Sequence, residues 1–203
     1  INNFSLPSGE PLLGNIPISL SDDVFTVLFA GNIGRFQDLD TVVSAMEILS
    51  DNSNIEFIFM GEGVEKDKLK KRAISTGGNV KFVSQQSIET AKEVMRRVDL
   101  GYVGLSKDVV RYAYPSKIMT YLEQGCPVLV AVEKESDLAY DVLSCKYGFT
   151  VENGDAKALA YLLLKLSKNM NWSKEMKQSA LDKSNADYSI DVAMRKWTKL
   201  LVA

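Results

Sequence analysis

Residues 24–61 decide the fold, and they read VFTVLFAGNIGRFQDLDTVVSAMEILSDNSNIEFIFMG. A short apolar run rich in β-branched and aromatic side chains stands at each end of this stretch, at 24–31 and at 55–61. Between the two runs, over 38–50, apolar side chains recur at three- and four-residue spacing, which is typical of one face of a helix. The order strand, helix, strand, with strands that are apolar almost throughout, predicts a parallel sheet covered by helices on both faces.

The same alternation continues as far as residue 151. Further strand-like runs occupy 79–83, 100–105, 127–132 and 148–151, and helical patterns occupy 64–76, 87–98, 116–124 and 136–145. We therefore expect a doubly wound, Rossmann-like α/β domain with about six parallel strands and helices on both faces. No internal repeat competes with this interpretation.

The two ends of the chain differ from this pattern. Residues 1–23 contain three of the five prolines, two glycines and no periodicity, so they are predicted to be an interdomain linker or loop. We expect the Rossmann-like domain to span 24–170. Residues 171–203 are predicted to add C-terminal helices, in which Ser173 and Ser189 stand at N-cap positions. Asp155 stands at the N-cap position of the helix that precedes them.

Charge and hydropathy exclude several classes of protein. The chain has 24 basic and 26 acidic residues among 203, interspersed, with a formal net charge of -2, so no basic surface is available for nucleic acid. No apolar run approaches the roughly 20 residues that cross a bilayer. We expect a chain that binds no nucleic acid and works in the cytoplasm, with a peripheral location on the inner face of the plasma membrane as the alternative for the full-length protein.

The absence of histidine limits the chemistry further. It excludes Ser-His and Cys-His nucleophiles and the usual zinc sites. Cys126 and Cys145 have no CxxC spacing, so they are predicted to be small buried side chains in a reducing compartment. Carboxylates, Lys, Arg and backbone dipoles must carry any reaction.

Ligands of doubly wound sheets bind at the carboxyl ends of the strands, and the first loop there contains FAGNIGRFQDLD. Gly31 and Gly34 would let backbone N–H groups approach a phosphate, or they simply form a tight turn. The pair Asp38 and Asp40 has the D-x-D spacing that holds a divalent metal in some nucleotide-sugar enzymes. Because it opens a helix, we predict that it caps free N–H groups instead.

Two more loops stand out. Gly61-Glu62-Gly63 follows the second strand, and Glu62 either accepts hydrogen bonds from ligand hydroxyls or is a solvated turn residue. Pro115, Ser116 and Lys117 begin a helix with a hydroxyl, a cation and unpaired N–H groups. This third loop, 114–117, predicts an anion site, and its alternative is a plain helix start with Lys117 in solvent.

These loops, in this order, resemble the C-terminal, donor-binding half of the retaining GT-B glycosyltransferases of family four. YPSKIMTYLEQGCPVLVAV (114–132) is similar to the family's P-S-K, aliphatic, x, E-Y, then G-x-P and a strand. FAGNIGRFQDLDTVVSAM (29–46) resembles its G-N-I-G-x-x-Q opening, and the segment 79–105 resembles its n-V-x-F-x-G to a-D-v-g-l run. The resemblance covers roughly residues 25–165.

The resemblance implies one half of a GT-B fold that binds a nucleotide-diphosphate sugar, UDP-linked by family habit, without a metal or other cofactor. It implies that Arg35 and Lys117 stabilise the leaving diphosphate. The resemblance also places four groups of residues around the donor. Gly31, Asn32, Gly34 and Gln37 would contact the diphosphate and sugar, and Gly61 and Glu62 would form a neighbouring wall. The backbone of Phe82, Val83 and Ser84 would contact the base, and Pro115 and Ser116 would contact the phosphates.

Two positions depart from the family pattern. The glutamate that usually stands five residues before the glycine of G-x-P, bound to donor hydroxyls, is Thr120, and the glutamate eight residues earlier is Tyr112. Thr120 can still hydrogen-bond but supplies no carboxylate. Glu123 lies three residues on and either compensates or, as we predict, faces solvent.

From this resemblance, we predict the donor-binding domain of a retaining glycosyltransferase for bacterial cell-surface polysaccharide. The acceptor, lipid-linked or saccharide, would bind the other half, and this chain alone would be inactive. Two alternatives stay open: half of a GT-B nucleotide-sugar 2-epimerase, and a non-catalytic nucleotide-binding or interaction module. Thr120 and Tyr112 favour the module.

Overall fold

The computed structural model describes residues 16–111 and 114–201, apart from the side chain of Lys196. Within these ranges six strands form one parallel sheet in the order β3-β2-β1-β4-β5-β6. The predicted doubly wound sheet is confirmed. The strands are β1 (Phe25–Ala30), β2 (Ile55–Met60), β3 (Val80–Val83), β4 (Leu100–Gly104), β5 (Val128–Ala131) and β6 (Gly148–Val151).

Helices connect successive strands and then continue beyond the sheet. Their bounds are α1 (Leu39–Ile48), α2 (Lys66–Thr76), α3 (Ile88–Arg97), α4 (Lys117–Glu123), α5 (Asp137–Ser144), α6 (Ala156–Lys168), α7 (Ser173–Lys183) and α8 (Ile190–Leu201). A 3-10 turn at Val109–Arg111 and a π-helical turn at Ser184–Tyr188 complete the described elements. The predicted cap Asp155 accepts from Ala158 N, whereas Ser173 is already inside α7, which Trp172 precedes.

The core lies on both faces of the sheet because successive strand side chains point in opposite directions. Phe57 and Phe59 face a cluster that α1, α2 and α6 close, whereas Ile58 and Met60 face a cluster that α3, α4, α5 and α7 close. Each such buried side chain contributes about 1.5–3 kcal/mol relative to exposure. Ile18, in the described part of the predicted linker, is also buried in the second cluster.

The strand order reverses between β1 and β4, and this is where a crevice opens in a doubly wound sheet. The two strands pair only at Val27 and Leu28. Beyond that point the Tyr121 hydroxyl of α4, instead of the β4 backbone, bonds to β1. It accepts from Ala30 N at 2.9 Å and donates to Leu28 O at 2.8 Å. Gly101 leaves room for the tyrosine ring, which a Cβ there would meet at 2.5 Å. Tyr121 thereby fixes α4 against the end of β1.

Candidate functional site

A cavity of about 830 Å³ lies at the carboxyl edge of the sheet, next to the reversal of strand order. The loops after β1, β2 and β3 and one face each of α3 and α4 surround it. Seven residues that the resemblance places at the donor line this cavity: Gly31, Asn32, Gly61, Glu62, Ser116, Lys117 and Thr120. Four separate stretches of sequence thus meet in one site.

The loops after β1 and β2 are packed tightly against each other. Gly31 N donates to Met60 O at 2.9 Å and Ile33 N to Glu62 O at 2.8 Å. Gly61 has a φ of 150°, and a Cβ there would stand 1.9 Å from Gly31 O. Glycine is therefore required at 61 so that the two backbones can approach each other.

This packing corrects one expectation about the first loop. The N–H groups of Gly31 and Ile33 donate to backbone carbonyls, and Gly34 N donates to Gln37 Oε1 at 3.0 Å. The glycines serve loop packing and a tight turn, so those N–H groups are not presented to a phosphate. Asn32 lines the cavity, whereas Gly34 and Gln37 stand outside its wall.

Lys117 is the cation at the start of α4 in this site. Its Nζ lies 3.9 Å from the centroid of the Phe29 ring, and a Cβ on Gly31 would lie 3.9 Å from the same atom. Desolvation by this burial lowers the lysine pKa from 10.5 to about 7. The side chain is only partly accessible, so the alternative with Lys117 extended into solvent is not the arrangement observed. An anion entering the cavity would meet a poorly hydrated ammonium beside the end of β1.

Two neighbours of Lys117 also reach the cavity. Ser116 is exposed at the N-cap of α4 and makes no capping hydrogen bond with its side chain. Thr120, three residues after Lys117, is half-buried in the same wall. Pro115 is buried behind them. A hydroxyl, an ammonium and a second hydroxyl therefore follow each other along the start of α4.

Glu62 stands at the wall of the cavity with its side chain 52% exposed. Its Oε1 lies 2.7 Å from Nζ of Lys66, four residues further along the chain. The hydrogen bond from Lys66, followed by its charge, holds the pKa of the Glu62 carboxyl below its usual range. Glu62 is thus an exposed carboxylate paired with one neighbouring lysine, and its role as an acceptor for ligand hydroxyls stays a prediction.

Other predicted residues lie away from the cavity. Arg35 is 75% exposed, its Nε lies 3.4 Å from Glu65 Oε1, and it lines a separate depression of about 290 Å³. The Phe82 ring stacks on Phe59 with centroids 4.9 Å apart, and Val83 O accepts from Gly61 N at 3.0 Å. Neither residue lines the cavity, and the expected contact of their backbone with a base stays a prediction.

The two aspartates of the D-x-D spacing hold elements together. Asp38 occupies the N-cap position of α1, yet its carboxylate accepts from Thr41 Oγ1 at 2.6 Å and from Gly154 N at 2.8 Å instead of capping the helix backbone. Asp40 pairs with Lys68 and Arg72 of α2. The prediction that Asp38 and Asp40 cap free N–H groups of the helix was therefore wrong. In the described ranges no group of three or more His, Cys, Asp or Glu side chains could hold a metal ion.

The structure adds a residue that sequence reasoning missed. Lys92 of α3 is 3% exposed, lines the cavity, and lies 2.9 Å from Glu123, from Nζ to Oε2. The prediction that Glu123 faces solvent was wrong, since its side chain is 19% exposed and paired. One signal was available: Lys92 falls four residues after Ile88 and three before Met95, on the apolar stripe of α3.

The loop that carries Pro115 to Lys117 is anchored to the C-terminal helices. Tyr114 and Tyr188 share a hydroxyl hydrogen bond of 2.8 Å, and Tyr147 donates to Asp141 at 2.8 Å. Lys183 of α7 pairs with the same Asp141. The π-helical turn after α7 thus holds the start of α4. Tyr112, which replaces a family glutamate, lies outside the described residues.

No helix of the described chain is both long enough and apolar enough to cross a membrane. The family model for "Glycosyl transferases group 1" matches residues 16–183. Two curated relatives are similar: WbjE of Pseudomonas aeruginosa, which bears a glycosyltransferase name, at 25% identity over 79% of this chain, and WcaI of Escherichia coli K12, named as a colanic acid biosynthesis glycosyl transferase, at 27% over 83%. The chain spans only 40% and 42% of these relatives.

Solved structures show the same fold at low sequence identity. Anabaena HepE in complex with UDP superposes with a TM-score of 0.75 at 16% identity, over 89% of this chain and 49% of that one. The C-terminal domain of the group 1 glycosyl transferase LpcC of Francisella tularensis gives 0.66 at 14%, over 82% of this chain and 87% of that domain. The sheet and its helices therefore correspond to one half of a GT-B fold.

Proposed function

Because the chain belongs to the glycosyl transferases group 1, we propose that it is the nucleotide-sugar-binding domain of a glycosyltransferase, and that the 830 Å³ cavity takes the donor. The observation that carries this proposal is the half-buried side chain of Lys117, whose ammonium lies over the Phe29 ring in a cavity lined by four separate segments. The UDP complex of HepE supports a UDP-linked donor.

The site suits the departure of a diphosphate. Charge develops on the leaving phosphate oxygens during glycosyl transfer, and a fixed cation in a poorly hydrated site stabilises that charge strongly. Lys117 supplies the cation, and Ser116 supplies a hydroxyl next to it. Arg35 takes part only if it leaves Glu65 and turns toward the cavity. We propose that transfer proceeds with retention, as the resemblance implies.

We propose further that no metal is needed. Asp38 and Asp40 are committed to Thr41, Gly154, Lys68 and Arg72. Cations and dipoles of the protein would neutralise the diphosphate instead. An excess of EDTA is therefore expected to leave nucleotide binding unchanged, and a strict requirement for Mn²⁺ would contradict this.

The biological setting is proposed from the relatives. The name of WcaI refers to colanic acid, so we propose that the full-length enzyme builds a bacterial cell-surface polysaccharide. Its acceptor, lipid-linked or saccharide, would bind in the half that this chain does not cover. Such an enzyme would work in the cytoplasm or on the inner face of the plasma membrane.

Titration of the isolated chain with UDP and with pyrophosphate tests donor binding. Lys117→Ala removes one charge-assisted contact, so affinity should fall about 10- to 100-fold, equivalent to about 1.5–3 kcal/mol. Lys70→Ala is the matched control, because Lys70 is an exposed lysine of α2 outside the cavity. Equal affinities of the parent and Lys117→Ala would refute the role of Lys117.

The non-catalytic module remains the second candidate, and Thr120 is the observation that favours it. Thr120→Glu restores the family's carboxylate at a half-buried position of the cavity wall. If a donor sugar nucleotide binds here, the variant should bind UDP-glucose more tightly relative to UDP, by about tenfold, since diphosphate repulsion limits the gain. An unchanged ratio of the two affinities, in parent and variant alike, would favour the module.

A further inference from the structure

The wall of the cavity formed by α3 and α4 contains one ion pair in apolar surroundings. Lys92 contributes the ammonium and Glu123 the carboxylate, with 2.9 Å between Nζ and Oε2. Ala91, Met95 and Met119 line the same part of the cavity. Buried ion pairs add little to stability, because desolvation of both charges offsets their attraction. Stability alone therefore does not explain a cation at this place.

The position of the pair along α4 suggests what it contacts. Lys117, Thr120 and Glu123 follow each other at three-residue intervals, so their Cα atoms rise by about 4.5 Å per step along the helix. Lys117 and Thr120 line the cavity directly, and Glu123 reaches it through Lys92. The wall thus presents a cation, a hydroxyl and a second cation in that order. A nucleoside diphosphate presents phosphate, ribose and base in the same order.

Resting on the proposed function, we propose that Lys92, oriented by Glu123, is a specificity-determining residue that donates a hydrogen bond to a carbonyl oxygen of the nucleotide base. An ammonium has three donors and no acceptor, so it recognises acceptor atoms only. Uracil and guanine carry carbonyl acceptors, whereas adenine presents an amino donor beside its ring nitrogens. The ligand class is therefore a diphosphate of a carbonyl-bearing base, and the disfavoured one is ADP.

Titrations of the parent chain with UDP, ADP and pyrophosphate test this assignment. We expect UDP to bind at least about tenfold more tightly than ADP, because one hydrogen bond from a charged donor contributes about that factor to the affinity. Pyrophosphate has no base, so its affinity measures binding at the phosphate end of the cavity alone. In the parent chain, equal affinities for UDP and ADP would overturn the inference, irrespective of any variant.

The decisive variant removes both charges together. Lys92→Met with Glu123→Leu removes both charges of this pair at once, and a thermal melt checks that the fold is retained. We expect UDP and ADP to bind this double variant equally, while the affinity for pyrophosphate stays that of the parent. Lys92→Arg keeps the donor and should keep the preference for UDP.

A second ion pair of the chain provides the matched control. Lys81 and Glu56 lie 2.7 Å apart, with Glu56 almost buried, and neither lines the cavity. Lys81→Met with Glu56→Leu should leave the ratio of UDP to ADP affinity unchanged. If the Lys92 double variant also keeps the parental ratio, the inference fails and the proposed function stands. If the parent binds neither UDP nor pyrophosphate, the proposed function fails, and the inference with it.

Discussion

At the scale of single residues, Lys117 defines the electrostatics of the cavity. Its ammonium lies over the Phe29 ring, where a cation–π attraction partly compensates for lost hydration. Desolvation nevertheless dominates and lowers its pKa to about 7. In the empty site the side chain is thus charged only in part at neutral pH. A bound diphosphate would favour the charged form and raise that pKa again.

This shift predicts a pH dependence of binding. The ammonium that the ligand needs is present in the free chain below about pH 7 and is lost as the pH rises through that value. Affinity for pyrophosphate should therefore fall between about pH 7 and about pH 9, by at most about tenfold per unit, with uptake of nearly one proton on binding near pH 8. Calorimetry in two buffers of different ionisation enthalpy measures both quantities.

Lys117→Met is the control for that experiment, because the titration of the ligand itself is common to both proteins. The ratio of parental to variant affinity should shrink as the pH rises. A ratio that stays constant from about pH 7 to about pH 9 would contradict the lowered pKa.

At the scale of elements, the site depends on two loops that are held together by backbone contacts. The segments after β1 and β2 are joined by the hydrogen bonds of Gly31 and Ile33, and Gly61 N donates to Val83 O at the end of β3. On the opposite side, Tyr121 and the pair Tyr114–Tyr188 fix α4 to β1 and to the C-terminal turn. The cavity is therefore organised before any ligand arrives.

Gly61→Ala tests the contact between the loops. Its φ of 150° strains any other residue by about 1–3 kcal/mol, and the new Cβ would overlap Gly31 O. We expect a lower free energy of unfolding in urea and weaker binding of UDP. Gly77→Ala is the control, since Gly77 also has a positive φ but has open space around it. Equal losses of stability in the two variants would mean that the loops can separate without cost.

At the scale of the whole molecule, the described chain has the fold of one half of a GT-B protein. It matches a separate C-terminal domain over 87% of its length but spans only about two fifths of the curated relatives. Helix α7 packs on α4, whereas α8 exposes Trp197 and Leu200.

The isolated chain should accordingly bind UDP but transfer no sugar. Half of the cleft, with the acceptor site, would be contributed by the rest of the enzyme, so the reacting groups cannot be brought together. Release of UDP from UDP-glucose, with and without saccharide acceptors, provides the measurement. Robust transfer by this chain alone would show that the half-enzyme interpretation is wrong.

The alternation of apolar strands and amphipathic helices determined the fold, because the periodicity of side chains reflects burial directly. The parallel sheet, its two covered faces and a helix that begins at Pro115 to Lys117 could all be predicted from residues 24–61 and 114–132. The resemblance then supplied the candidate loops, and the cavity brings seven of their residues together.

Only the tertiary structure decided what each polar group contacts. The N–H groups of Gly31 and Gly34 were expected to approach a phosphate, but Gly31 N donates to Met60 O and Gly34 N to Gln37 within its own loop. Arg35 pairs with Glu65, and the buried pair of Lys92 with Glu123 joins two helices that are distant in sequence. Sequence periodicity reports whether a side chain is buried, whereas the choice of partner depends on long-range packing, which no local pattern contains.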